Sequence, residues 1–114
     1  MSMELHAKLW IEQDGKLILS DYRVRLLHLI DETGSLSEAA TAMGLSYRRA
    51  WGKLREIEQN LGVKLVDRAI GGAGGGGSRL THEGRQLIER YERFRSAAEH
   101  GLETEFSTTF GGNR

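Results

Sequence analysis

The spacing of apolar positions changes several times along the chain, and each change marks an element. In "HAKLWIEQDGKLILS" two apolar-rich runs flank Asp14-Gly15. That pair is favoured in a two-residue type I′ turn, where both central positions need φ > 0, so a β-hairpin is predicted. From Ser20 the period becomes helical. Val24, Leu26, Leu27 and Ile30 form a stripe, Ser20 is placed to cap, Asp21 suits the positive end of the helix dipole, and Gly34 stops the helix. Ser35 with Glu38 three residues on is a capping box, opening a short helix that Gly44 ends. Ser46 caps the next, "YRRAWGKLREIEQNLG", where Ala50, Leu54, Ile57 and Leu61 share one face and Gly62 closes it.

"VKLVDRAI" and "SRLT" are predicted as short strands, with Gly71–Gly77 between them: six glycines in seven residues, broken only by Ala73. Thr81 caps a long last helix, from about His82 to Leu102. Its stripe is Leu87, Tyr91, Phe94 and Ala98, with Ile88 beside it, and "STTFGGNR" reads as a frayed tail. The fold class is therefore mainly α with small β-hairpins. One domain over 1–105 is followed by a flexible tail over 106–114.

Composition adds limits. At 114 residues one domain is expected, and 39% hydrophobic with 28% charged residues excludes a disordered chain. With no cysteine there is neither a disulfide framework nor a thiolate metal site. No run has the length of a membrane span and no leader pattern opens the sequence, so a cytoplasmic protein is expected. Net charge is zero, but residues 46–90 carry nine Lys/Arg against five Asp/Glu, while residues 1–45 carry four against seven. That asymmetry hints at an anionic partner.

The informative unit is the pair of capped helices joined by Gly44-Leu45-Ser46. Ala39 and Ala40 allow close packing, Gly44 suits the turn and Leu45 plugs the core, in the order a helix-turn-helix needs. A helical hairpin inside a small bundle has the same pattern. The second helix favours the first reading. With Ala50, Leu54, Ile57 and Leu61 inward, Arg48, Gly52, Arg55 and Gln59 point outward, flanked by Arg49 and Glu56 on one side and by Trp51 and Tyr47 on the other. Gly52 weakens a helix by about 1 kcal/mol against Ala, which makes sense where a backbone must approach a surface closely. Free N–H groups in the first turn suit phosphate, and arginine suits a guanine edge. Trp51 and Tyr47 are read as partial core residues, Tyr47 being the better candidate for a phosphate or base contact.

The glycine run formally contains G-x-G-x-x-G, but "SRLT" intervenes before the helix, and no Gly-Lys-Ser/Thr follows, so neither nucleotide motif applies. A glycine-tipped hairpin serving as a wing along a DNA groove fits better than a linker; a merely disordered tip is the bland alternative. The DNA-contact set is then Ser46, Tyr47, Arg48, Arg49, Gly52, Lys53 and Arg55 on the helix, with Arg68, Gly74, Gly75, Gly76 and Arg79 at the wing.

"GSLSEAATAMGLSYRRAWGKLREIEQNLGVKLVDRAIGGAGGGGSRLTHEG" resembles the winged helix-turn-helix of the LysR group. "SYRRAW", "VDRAIGGAGGGGSRLT" and the preceding hairpin make it more similar to the N-terminal domain of the ModE family of molybdate-responsive repressors. The likeness covers roughly residues 5 to 103. It implies a homodimer built by the hairpin, first helix and last helix, binding a palindromic operator in double-stranded DNA. ModE proteins continue into molybdate-binding domains, onto which no residue here maps. Direct molybdate sensing is not expected; a separate molybdate-binding protein would supply it, and no cofactor is expected.

Other classes fit less well. His6, His28, His82 and His100 lie far apart without an H-x-x-x-H pair, His28 reads as the polar side of a helix, and Ser37 and Ser46 are capping or turn residues, so no enzyme is expected. A winged-helix protein-interaction module without DNA binding is the alternative. Glu56 and Glu58 are the only acids near the arginine face in sequence, which favours DNA.

Overall fold

Asp14 and Gly15 take φ of 53° and 78°, the two left-handed positions that a type I′ turn demands. They join β1 (Trp10–Gln13) to β2 (Lys16–Ser20), antiparallel, with the register shifting between Ile11 and Glu12. The predicted hairpin is thus present but begins at Trp10. The computed structural model describes residues 2–68 and 77–111.

Ser20 caps α1 (Asp21–Thr33), its side chain accepting from the Arg23 N–H, and Gly34 ends it at φ 71°. α2 (Leu36–Ala42) starts on Ser35, which accepts from the Glu38 N–H at 3.0 Å. The capping box is only half made, because the Ser35 N–H donates to Thr33 Oγ1 at 3.2 Å. Gly44 turns the chain at φ 69° into α3 (Tyr47–Leu61), capped by Ser46 and closed by Gly62. Leu26, Leu27, Ile30, Ala39, Ala50 and Ile57 are wholly buried where α1, α2 and α3 meet. Burying each of the larger aliphatic side chains contributes about 1.5–3 kcal/mol. The periodic faces read from the sequence are the faces that pack.

β3 (Val66–Arg68) pairs antiparallel with β4 (Ser78–Leu80). This strand is shorter than predicted at its start. The Leu65 N–H, which could have extended it, instead donates to Glu58 Oε2 at 2.8 Å, and strand pairing starts only at Val66. Ala69 and Ile70 lie outside the described residues. The loop end of β4 is tied to the helices: the Ser78 N–H donates to the Gly34 carbonyl at 2.8 Å.

Thr81 caps α4 (His82–Phe106), which runs a turn longer than predicted. A π-helical turn, Ser107–Gly111, stands where frayed residues were expected. Along α4, Gly84, Ile88 and Tyr91 are buried and Leu87 is half-buried, whereas Phe94 is 51% exposed. The stripe therefore splits: its first part joins the core and Phe94 faces away. Polar contacts fix the register of α4 on α1. The Tyr91 hydroxyl donates to the Asp21 carboxylate, Arg95 Nε meets Asp21 at 2.8 Å, and Arg85 meets Asp31 at 3.0 Å. The radius of gyration, 17.4 Å, exceeds the ~13 Å of a compact chain of this length. The 25 residues of α4, about 37 Å long, supply more than half of the 61 Å long axis.

Candidate nucleic-acid interface

α3 has one face in the core, through Ala50, Leu54 and Ile57, so its opposite face is exposed by necessity. Arg48, Arg49, Gly52 and Arg55 are all exposed there, and Ser46 sits at the helix start. No Cβ-blocking neighbour lies within 4 Å of Gly52, so packing does not explain the glycine. Among the described residues Arg48, Arg49, Arg55 and Arg79 make no ion pair.

Two aromatic expectations need correction. Tyr47 and Trp51 were read as partial core residues, yet they are 46% and 37% exposed. α3 projects beyond the core on that side, and both rings stand against arginines instead. The Arg55 guanidinium lies 4.7 Å from the Trp51 ring centroid, and that of Arg68 lies 5.8 Å from the Tyr47 centroid. Arg68 Nη2 also donates to the Tyr47 hydroxyl. Lys53 turns the other way: half-buried, its Nζ sits 5.3 Å over the Tyr22 ring of α1.

The hairpin β3–β4 divides its charges. Side chains alternate across a strand, so Arg68 shares the inward side with Val66, while Asp67 and Arg79 stand opposite each other on the outward side. Arg68 thus joins the α3 surface and Arg79 does not. Gly74, Gly75 and Gly76, the predicted wing contacts, lie outside the described residues. A recess of about 210 Å³ opens where Ser35, Ser37, Tyr47, Arg68 and Ser78 converge. Its hydroxyls and guanidinium have the chemistry of an anion seat. Ser35, Ser37 and Ser78 were not among the sequence candidates, because only the fold brings the starts of α2 and β4 beside Tyr47 and Arg68.

The two acids of α3 are both engaged. Glu56 pairs with Arg23 at 2.7 Å, and Glu58 Oε2 accepts from Leu65 and Val66 N–H at 2.8 and 3.2 Å. Sequence offered one signal for the first: Arg23 stands one turn before Leu27, in register with the buried face of α1. Among the described residues no group of three or more His, Cys, Asp or Glu side chains could hold a metal, and no helix is long and apolar enough to cross a membrane.

Comparison with known proteins agrees with this geometry. The family of bacterial regulatory helix-turn-helix proteins, lysR family, matches residues 22–85. The chain is similar to the transcriptional regulator ModE of Yersinia pestis, 33% identical over 102 residues, covering 90% of this chain and 39% of that protein. It is also similar to the DNA-binding transcriptional dual regulator ModE of Escherichia coli K12, 39% identical over 90 residues, covering 79% and 34%. The chain therefore spans well under half the length of these relatives. Among solved structures, the CbnR DNA-binding domain in complex with DNA superposes with a TM-score of 0.61 at 20% identity, over 79% of this chain and 98% of that one. At that identity the likeness is one of fold, a winged helix-turn-helix.

Proposed function

The chain belongs to the LysR family of bacterial regulatory helix-turn-helix proteins, which are DNA-binding transcriptional regulators, and we propose that it acts as a homodimeric repressor on a palindromic operator. The observation that carries the DNA reading is the exposed face of α3. Three arginines of α3, Arg48, Arg49 and Arg55, are exposed on the side of an unobstructed Gly52, Arg68 joins them beside Tyr47, and both acids of the helix are held elsewhere. α3 enters the major groove, Arg48 and Arg49 reach base edges or phosphates near its N-terminus, and the N–H groups of its first turn beside Ser46 that the cap leaves free face phosphate. The recess beside Tyr47 and Arg68 seats a backbone phosphate. The wing, with Arg79 and the glycines 74–76, lies along the adjacent groove wall. The protein-module alternative is not favoured, since among the described residues Arg48, Arg49, Arg55 and Arg68 have no acidic partner. DNA of this kind is met in the cytoplasm.

The second copy docks on the surface formed by the first hairpin and α4, apart from the exposed arginine face of α3. Phe94, Leu102 and Phe110 are exposed on α4 and the π-turn, Trp10 is exposed on β1, and an open groove of about 630 Å³ runs between the first hairpin and α4 past Leu87 and Phe94. Apolar exposure on this scale in a small domain suits an interface. Two recognition helices related by a two-fold axis would then meet half-sites about 34–36 Å apart, or a multiple of it. A separate molybdate-binding protein is the further partner that would convey a molybdate signal.

The test is fluorescence anisotropy on a duplex selected by the protein from a random pool, across salt concentrations, with an unrelated duplex as competitor and with and without molybdate. We expect tight binding that weakens steeply with salt, preference by about a thousandfold, and no molybdate effect. Sedimentation should show a dimer that Phe94→Glu dissociates. A folded protein that binds neither duplex at low salt would end the DNA reading.

A further inference from the structure

Tyr47, Trp51 and Arg55 stand four residues apart on α3, so they are neighbours along one side of the helix. Arg68 reaches across from β3 to the first of them. Both arginines are held by aromatic residues: the Arg55 guanidinium lies 4.7 Å from the Trp51 centroid, while Arg68 sits at the hydroxyl end of Tyr47, 5.8 Å from its centroid, its Nη2 donating to the Tyr47 hydroxyl. The result is a row of cation, ring, ring and cation on the exposed side of the helix. The core does not use these rings, which keep 46% and 37% of their surface.

We propose that Tyr47 and Trp51 are positioning residues for DNA binding: each holds one arginine, Arg68 and Arg55 respectively, in place to meet a backbone phosphate. This rests on the DNA-binding reading above and adds to it how the cations are ordered. A free arginine side chain samples many rotamers, and binding must select one. For Arg55 the ring beneath the guanidinium shifts that population by about two- to fivefold at an exposed site, and for Arg68 the hydrogen bond to the Tyr47 hydroxyl does the same. Arginine suits the arrangement because its flat face can stack while the N–H groups at its edge stay free for phosphate oxygens. Without the rings the charges remain, but their geometry is lost. Affinity therefore falls while its dependence on salt does not change.

The experiment is anisotropy of the intact chain on the selected duplex, read as affinity and as salt slope, with thermal unfolding of each variant as a check on folding. Trp51→Ala is expected to weaken binding by about three- to fivefold at an unchanged salt slope, Trp51→Leu to match it, and Trp51→Phe to stay within about twofold. Arg55→Ala should reduce the salt slope by about one, as loss of a phosphate contact does. Adding Trp51→Ala to Arg55→Ala should then have no further effect. Tyr47→Ala against Arg68→Ala should couple in the same way. Additive losses, an Arg55→Ala slope equal to that of the unaltered chain, or a Trp51→Leu variant as good as Trp51→Phe would overturn this inference alone. Failure of the unaltered chain to bind any duplex at low salt would overturn the DNA reading, and this inference with it.

Discussion

Glu56 of α3 gives its carboxylate to Arg23 of α1, Oε1 to Nη2 at 2.7 Å, and so ties the recognition helix to the helix behind it. Arg23 is only 8% exposed, and its Nη1 is buried without a hydrogen-bond partner among the described residues. Removing the carboxylate leaves a desolvated guanidinium uncompensated. Glu56→Gln should therefore lower stability by about 1–3 kcal/mol, since Glu56 itself is half in solvent and the pair is partly screened. Replacing both residues by Met should recover part of that loss. Urea midpoints of the two single variants and the double variant, at constant m-value, decide it.

Gly84 makes the closest backbone approach of the glycines among the described residues. A Cβ there would lie 2.4 Å from the Leu65 carbonyl oxygen, which already accepts the Thr81 N–H at 2.9 Å. Gly84→Ala must push α4 away from the start of β3. A loss of about 2–3 kcal/mol is expected, seen as a lower urea midpoint. Wild-type stability in that variant would mean that the approach is easily relaxed.

Gly52 makes the opposite case. It lies inside α3 with nothing within 4 Å of its would-be Cβ. Gly52→Ala should raise stability by about 0.5–1 kcal/mol through helix propensity alone. If the glycine is there for close approach to DNA, the same variant binds the selected duplex more weakly. A more stable protein with undiminished affinity would remove Gly52 from the contact set.

Tyr91 sets an alkaline limit. Burial first, then the hydrogen bond to Asp21 and that carboxylate's charge, push its hydroxyl up to about 12, with Arg95 opposing. The folded state therefore favours the protonated phenol. Its contribution is complete below the unfolded value near 10 and is lost as pH rises from there to about 12. Unfolding midpoints should drop across that window, and Tyr91→Phe should flatten the drop at some expense in stability near neutral pH. An unchanged pH profile in Tyr91→Phe would place the alkaline sensitivity elsewhere.

The local signals were readable from residues alone. Ser20, Ser35, Ser46 and Thr81 each accept from an N–H three residues on, and Asp14-Gly15, Gly34, Gly44 and Gly62 occupy the left-handed positions that helix ends and turns require. Such signals span three or four residues, so no knowledge of the fold is needed to recognise them. The inward faces of α1 and α3 were equally legible, because a helix repeats its buried positions at a fixed spacing.

The sequence by itself thus determined the order of the elements, the caps and glycine stops of α1 to α3, the buried faces of α1 and α3, and the arginine-bearing face left over on α3. Only the tertiary structure decided which partners those side chains take. Glu58 binds the backbone of Leu65 and Val66, Glu56 finds Arg23 across 33 residues, Arg68 reaches Tyr47 across 21, and Phe94 leaves the stripe to which Tyr91 belongs. The reason is physical: these outcomes depend on how rigid elements are placed in three dimensions. That placement follows from the sum of many packing contacts and from close approaches such as Gly84 on Leu65, which no short stretch of sequence contains.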